Sequence, residues 1–228
     1  MKFAPGIAQI GGLVGDPVRA AMLAVLIDGR ALPAGELAFA GNIAPQTASF
    51  RLGKLVAAGL LSVEPQGKHK YYRLANERVA AALEALAAIA PVRDLATSRV
   101  ESLYESEQAK ELRFARSCYK HLAGQVAVEI YRGFVARGLL VATPAKENLL
   151  TDAGARWCKE LGIAGSLMGR ACLDWTERRH HLGGPLGVAL FASLKEAKWI
   201  AQKPGTRLVR LTHTGKKKLE DRLGIVIR

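Results

Sequence analysis

Three things are scarce in this chain, and each scarcity removes a class of protein. Cysteine is the first: 228 residues carry 3, and Cys118, Cys158 and Cys172 are widely spaced and odd in number. A disulfide framework needs paired cysteines and an oxidising compartment, so reduced thiols packed as small apolar groups are expected. Long apolar runs are the second. The stretch Ala80–Ala90 and its like are broken by charge well short of the ~20 residues that span a bilayer. The opening MKFAPGIAQIGGLVGD makes no convincing signal peptide, so no membrane partner is expected and the compartment read from the sequence is the cytoplasm. Catalytic signatures are the third. The sequence has no Walker A loop, Rossmann fingerprint, GxSxG elbow or HExxH pair. Asp174, Glu177 and His180 can be assembled into an acid–base set, but no spacing demands it. The expectation is a protein that is not an enzyme and carries no cofactor.

Acidic residues are also outnumbered, 20 against 33 basic ones, which leaves a net charge of +13. Such a field favours a polyanion, nucleic acid before an acidic membrane surface. It is unevenly spread: residues 1–91 hold 9 basic and 6 acidic groups, residues 92–228 hold 24 and 14, and Lys195–Arg228 holds 10 against 3. Either the C-terminal part also tracks phosphates, or its charge is solvated surface; the sequence leaves both open.

What is present gives an order of elements. Asp16-Pro17 is a helix start, because Asp caps free N–H groups and Pro at the first position loses nothing. Val18, Met22, Val25 and Leu26 follow on one face, with Gly29 as the stop. Pro33 precedes a short helix, Ala34–Ala40. Gly41-Asn42-Ile43-Ala44 reads as a turn, and Pro45 opens a helix to about Ala58 with an apolar stripe of Ala48, Leu52, Leu55 and Val56. Two short helices about a tight Gly-containing turn are the helix-turn-helix pattern. Leu60–Glu64 and Tyr71–Leu74 then make a two-stranded hairpin around the basic tip Pro65–Lys70. Asn76 caps a helix whose Val79, Leu83 and Leu86 form a face before Pro91. Together these elements form a winged helix.

Within that frame Gln46, Thr47, Ser49, Arg51 and Lys54 fall on the exposed side of the second helix of the motif. Side chains near its start reach base edges in a major groove, and Lys54 is placed for a phosphate. Lys68, His69 and Lys70 on the wing suit phosphate or minor-groove contact. An ordinary solvated face is the alternative, but the preceding turn and the basic wing favour DNA. Tyr71 and Tyr72 read as strand packing.

From Asp16 to about Pro91 the chain resembles the ArsR-type (arsenic-repressor-like) regulators. The residues that carry the resemblance are GDPVRAAMLAVLIDG, GELAFAGNIAPQTASFRLGKLVAAGLL and the wing VEPQGKHKYYRL. It implies a homodimer that binds a pseudo-palindromic double-stranded DNA operator, represses, and releases when an effector binds. Two departures stand out. Metal-sensing members carry a cysteine-containing box on the helix before the turn, and the matching Glu36-Leu37-Ala38-Phe39-Ala40 has no thiol. Where a Ser-x-His step is usual, this chain has Ser49-Phe50-Arg51, and arginine can bond guanine O6 and N7 bidentately.

Residues 92–228 contain an internal repeat. His121-Leu122-Ala123-Gly124 recurs as His181-Leu182-Gly183-Gly184. Leu150-Thr151-Asp152-Ala153-Gly154 recurs as Leu211-Thr212-His213-Thr214-Gly215, and Leu161-Gly162-Ile163 as Leu223-Gly224-Ile225. Three matches in register imply a duplication. The expected architecture is mainly α with small β-hairpin wings (α+β): a winged helix-turn-helix over 1–91, a helical connector over 92–112, and an effector or dimerisation domain over 113–228 made of two related, winged-helix-like halves. Cys118, His121 and Cys172, with Asp174, His180 and His181 nearby, form a second candidate site for a soft metal or a thiol switch. That reading assumes a helix over Ser117–Arg132 with Cys118 and His121 on one face. The alternative, which the sequence favours, is that these residues bind neither and that each histidine opens a duplicated helix and bonds backbone. Trp157, Trp175, Tyr119 and Trp199 read as core before they read as the lining of a ligand pocket. The effector, small molecule, metal or oxidant, is open at this point. A nonspecific architectural nucleic-acid-binding protein is the alternative to a sequence-specific regulator.

Overall fold

The computed structural model describes residues 6–27, 29–66, 69–90, 107–118, 120–143, 145, 147–165 and 167–227. Expectations that fall on Gly67, Lys68, Pro91, Tyr119 and the 92–106 part of the connector lie outside the described residues. The chain divides into two units, Met1–Ala109 and Lys110–Arg228.

In the first unit α1 (Ile7–Val14) leads into α2 (Pro17–Ala24). Asp16 caps α2 by accepting from the Arg19 backbone N–H at 2.9 Å, and Pro17 occupies the first turn, where no N–H is needed. The helix ends well before Gly29. Val25, Leu26 and Ile27 form a turn in which all three are buried, whereas a helix would carry three successive residues round to different faces. β1 (Leu32–Pro33), α3 (Ala34–Ala40) and α4 (Pro45–Ala57) follow. Between the last two, Asn42 takes φ 51°, a left-handed conformation that Asn tolerates.

β2 (Leu61–Gln66) and β3 (His69–Leu74) pair from Leu61↔Leu74 to Gln66↔His69, closer to the wing tip than the sequence suggested. β1 adds to the far side of β3, Leu32↔Tyr72, so the wing is three-stranded where two strands were expected. A two-residue strand holds no alternation to read. Asn76 Oδ1 accepts from the Arg78 and Val79 N–H groups to start α5 (Glu77–Ile89). Its buried residues are Ala80, Leu83 and Glu84, while Leu86 and Ile89 face solvent, which corrects the expected Val79–Leu83–Leu86 face. Met22, Leu23, Leu26, Leu37, Ala48, Leu52 and Leu55 make the core of this unit.

The second unit begins within α6 (Glu107–Phe114), and after that helix it is a duplication made of β-β-α-β-β-α. The first copy is β4 (Arg116–Cys118), β5 (His121–Ala123), α7 (Gln125–Ala136), β6 (Leu140–Ala142), β7 (Glu147–Leu150) and α8 (Asp152–Glu160). The second is β8 (Gly169–Leu173), β9 (His180–Gly183), α9 (Gly184–Glu196), β10 (Ile200–Gln202), β11 (Val209–Leu211) and α10 (His213–Leu223). The helix expected over Ser117–Arg132 is therefore a hairpin up to Ala123 and a helix only from Gln125.

The copies are interleaved. One sheet runs β6-β7-β8-β9, joined across the copies by Glu147↔Arg170 and Asn148↔Gly169. The equivalent junction closes the circle: Ser117 N–H donates to Arg207 O at 2.8 Å and Val209 N–H to Ala115 O at 3.1 Å, either side of the Arg116↔Leu208 bridge. One hydrophobic core, with Val126, Phe134, Leu186, Leu194 and Leu219 fully buried, is shared by both copies. Trp157 lies edge-on to Phe134 and Trp199, at ring-centre distances of 4.7 and 6.5 Å, so both tryptophans are core. Trp175 is half-buried, with the Arg116 guanidinium 5.2 Å from its ring centre. Among the described residues no helix is long and apolar enough to cross a membrane.

The repeated Leu-Thr-x-x-Gly has a physical reason in each copy. Thr151 Oγ accepts from Gly154 N–H at 3.1 Å and donates to Gly138 O at 2.8 Å; Thr212 Oγ accepts from Gly215 N–H at 2.9 Å and donates to Lys198 O at 2.8 Å. Each threonine thus caps a helix and ties it to the turn before the hairpin. That draws the helix so close that a Cβ on Gly154 would strike the Leu139 carbonyl oxygen, and one on Gly215 the Trp199 carbonyl oxygen. Gly154→Ala is expected to cost about 1–3 kcal/mol through overpacking, read as a lower urea midpoint for the second unit. An unchanged midpoint would contradict the close approach.

Candidate functional site

The exposed face of α4 carries Gln46, Thr47, Ser49, Phe50, Gly53 and Lys54, all open to solvent, with Ala48, Leu52 and Leu55 turned into the core. Ser49 Oγ donates to Pro45 O at 3.1 Å. Phe50 is 66% exposed, and Lys54 Nζ sits 4.5 Å from its ring centre. His69 and Lys70 stand exposed on β3, while Tyr72 is buried and Tyr71 half-buried in the sheet. Between α4 and the wing lies an open cleft of about 690 Å³, lined by Gly35, Ser49, Gly53, Val63, His69 and Lys70 among others. A Cβ at Gly35 or Gly53 would meet nothing within 4 Å, so the cleft floor is smooth where a backbone could lie against it.

Arg51 departs from the expectation of a free guanine reader. Its Nη1 donates to both Asp16 carboxylate oxygens at 2.8 Å, and the pair is about three-quarters buried. Arg19 adds to the same network, with Nε donating to Leu13 O and Nη2 to Gly12 O, each at 2.8 Å. Asp16 therefore caps α2 and anchors α4, while Arg19 holds the end of α1. The Arg19 backbone N–H, then the Arg51 guanidinium, hold the Asp16 carboxyl below its ordinary value of 3.8. Phe50 is the residue that sequence reasoning missed. An aromatic on the polar side of an amphipathic helix, out of step with the stripe, was the available signal.

The second constellation lies in the second unit. The thiols and imidazoles of Cys118, His121, Cys172 and His181 converge, with one donor atom from each within 4.8 Å of every other. Two hairpins place them. Cys118 pairs across its hairpin with His121, and Cys172 pairs across the other with His181. β5 and β9 lie against one another, which brings His121 Nε2 to 3.1 Å from His181 Nε2. The histidines thus face each other from strands, instead of opening helices as expected. The third cysteine, Cys158, is elsewhere in the core, and burial pushes its thiol up to about 11. His180 points to solvent.

Asp174 organises this cluster. Oδ1 accepts from Arg116 Nη2 at 2.9 Å, from Thr176 N–H at 3.0 Å and Thr176 Oγ1 at 2.8 Å, and Oδ2 accepts from Gly124 N–H at 2.7 Å. His181 Nδ1 lies 3.3 Å from Oδ2, an ion-pair distance in a geometry too oblique for a full hydrogen bond. Burial opposes charge on Asp174, but the His181 and Arg116 side chains and the Gly124 N–H outweigh it and hold the carboxyl far below the usual range. For His181, burial likewise opposes charge, and the Asp174 carboxylate together with Cys118 raises its pKa above the ordinary imidazole value. With Nδ1 turned towards Asp174, Nε2 faces the cluster.

Residues 14–64 match a family model described as a helix-turn-helix domain. Over 230 aligned residues the chain is 44% identical to the uncharacterized HTH-type transcriptional regulator YdfF of Bacillus subtilis strain 168, covering 98% of this chain and 99% of that one. The chain belongs to this family of HTH-type transcriptional regulators. Similar solved structures include the homodimeric winged helix-turn-helix DNA-binding domain Mb0332 from Mycobacterium bovis, 28% identical, with 35% of this chain and 73% of that one covered and a TM-score of 0.33. Another is the cadmium metal-sensor CMTR from Mycobacterium tuberculosis, 30% identical, with 40% and 94% covered and a TM-score of 0.32.

The Asp16–Arg51 pair gives a pH-dependent expectation. A carboxyl whose folded pKa is lowered contributes stability above its unfolded pKa and loses it as pH falls through the folded value. Arg51→Ala is expected to lower the urea midpoint of the first unit at neutral pH, and the gap from wild type should narrow as pH falls below the ordinary Asp value of 3.8 towards the lowered folded value. A gap that stays constant as the carboxyl is protonated would assign the loss to something other than the ion pair.

Proposed function

We propose that this regulator is a homodimeric, sequence-specific repressor that reads an operator with α4 and the β2–β3 wing and is released by an effector held in the second unit. The observation that carries the reading is the exposed face of α4 opposite the basic strand of the wing, with a smooth-floored cleft between them. Gln46, Thr47 and Ser49 near the helix start, with Phe50, face the bases; a phenyl ring suits the thymine methyl. Lys54, His69 and Lys70 contact phosphates, and Lys68 on the wing tip is assigned the same role. Arg51 acts through position, setting the angle of α4 through Asp16.

Dimerisation is supported by the apolar side chains left open on α1 and α5 of the first unit. Ile7 on α1 is 72% exposed and Ile89 on α5 is 79% exposed, and α1 buries none of its residues. The basic excess of the C-terminal part is at least partly solvated, since Lys216, Lys217 and Lys218 are all exposed on α10. The protein acts in the cytoplasm on double-stranded DNA, and its chemistry is recognition, not catalysis.

A DNA-binding titration tests this. Purified protein should bind its own upstream DNA in the presence of excess nonspecific competitor. Lys54→Ala and Lys70→Ala should weaken all sequences alike and each reduce the salt slope by about 1. Gln46→Ala and Phe50→Ala should cost about 1–3 kcal/mol on the preferred site and little on competitor. Equal affinity for every sequence, with steep salt dependence alone, would replace this reading with a nonspecific architectural protein.

A further inference from the structure

We propose that Cys118, His121, Cys172 and His181 form a closed, four-ligand site for a borderline-soft divalent cation of the zinc class, which joins the two copies of the duplicated unit. The inference concerns the second unit and does not rest on the DNA-binding reading. Each copy contributes one thiol and one imidazole, facing one another across the first hairpin of that copy.

The donor set identifies the ligand class. Two thiolates and two imidazoles with no carboxylate or carbonyl oxygen suit a tetrahedral zinc-type ion and not a hard cation such as magnesium or calcium. The spacing agrees. Tetrahedral bonds of about 2.0–2.1 Å to imidazole nitrogen put two such nitrogens about 3.3 Å apart, and His121 Nε2 and His181 Nε2 are 3.1 Å apart. All four donors lie within 4.8 Å of one another, a spread that one ion can gather by small side-chain rotations.

The surroundings suit a ligand set as well. Asp174 stands behind His181 Nδ1 at 3.3 Å, so that the opposite nitrogen, Nε2, is the one that faces the other donors; a carboxylate on the far side of a ligating imidazole is a common metal-site feature. Gly183 supplies the space: a Cβ there would press at 3.3 Å on the His121 ring and at 3.2 Å on Cys172 Cβ. Four protein ligands leave no open coordination position, which describes a structural or sensory site and not a catalytic one.

The test uses the full chain, reduced, stripped with a chelator and then titrated with Zn(II) and, as a spectroscopic probe, Co(II). One equivalent should bind per chain. The cobalt form should show the intense visible bands of tetrahedral geometry together with thiolate charge transfer, and magnesium and calcium should not compete. Cys118→Ser and Cys172→Ser should each weaken binding more than about 100-fold, beyond the range of a change behind the ligands, while Cys158→Ala should bind as wild type. Because those serine variants can misfold, a second measurement uses the unaltered protein: Zn(II) should protect Cys118 and Cys172 from alkylation, mapped by peptide mass. The proposal is overturned if the reduced protein takes up no Zn(II), if the cobalt spectrum lacks thiolate charge transfer, or if Cys118 and Cys172 alkylate equally fast with and without the ion.

Discussion

The second unit depends on a single buried carboxylate. Asp174 sits between the copies: it belongs to the second, yet it bonds Arg116 and the Gly124 N–H of the first while facing His181 of its own. Removing one member of a buried ion pair costs about 3–5 kcal/mol, since the other is left charged and unpaired. Arg116 meets the same constraint from its side, with Nη1 donating to Leu112 O and to Thr176 Oγ1. The α7 start, the β4–β5 hairpin and the β8–β9 hairpin are thus held to one another by polar geometry as well as by the shared core.

The first unit uses the same device near its surface. Asp16 is a helix cap that also holds a distant arginine, so the start of α2 is tied to the middle of α4. The middle of α4 is thus tied to a capping residue thirty-five positions away in the chain. The result is a division of labour along α4: Ala48, Leu52 and Leu55 anchor it, Arg51 orients it, and Gln46, Thr47, Ser49, Phe50 and Lys54 are left open.

Much of the first unit was legible because its signals are local. The caps Asp16 and Asn76, the prolines at helix starts and the stripe of α4 each lie within one turn of what they specify. What escaped was non-local. The partner of Arg51 lies in another helix, and β1 is too short to show a period. In the second unit the histidine repeat was visible because His121 and His181 keep an offset of 60, close to the 61 and 62 of the other repeated motifs. The cysteines were not, because Cys118 and Cys172 are 54 apart. The second hairpin is longer, with Asp174–Arg179 between β8 and β9 where two residues separate β4 from β5. Aligning the copies by their histidines therefore sets Cys118 against Arg178, although the strand pairing makes Cys118 and Cys172 equivalents. Reading Ser117–Arg132 as one helix came from the same gap: only two residues separate β4 from β5, too few to leave a mark in the apolar pattern, and helix periodicity begins in earnest only at Val126.

The central claim is that the second unit is one interleaved body, not two small domains in sequence. Native-state hydrogen exchange on the full chain, followed by peptide mass, tests it most directly. The account predicts that the slowest amides of the first copy, in β5 and α7, and those of the second, in β9 and α9, exchange through one opening with a common free energy. If either copy exchanged fully while the other stayed protected, the copies would be separable and the role given to Asp174 would fail.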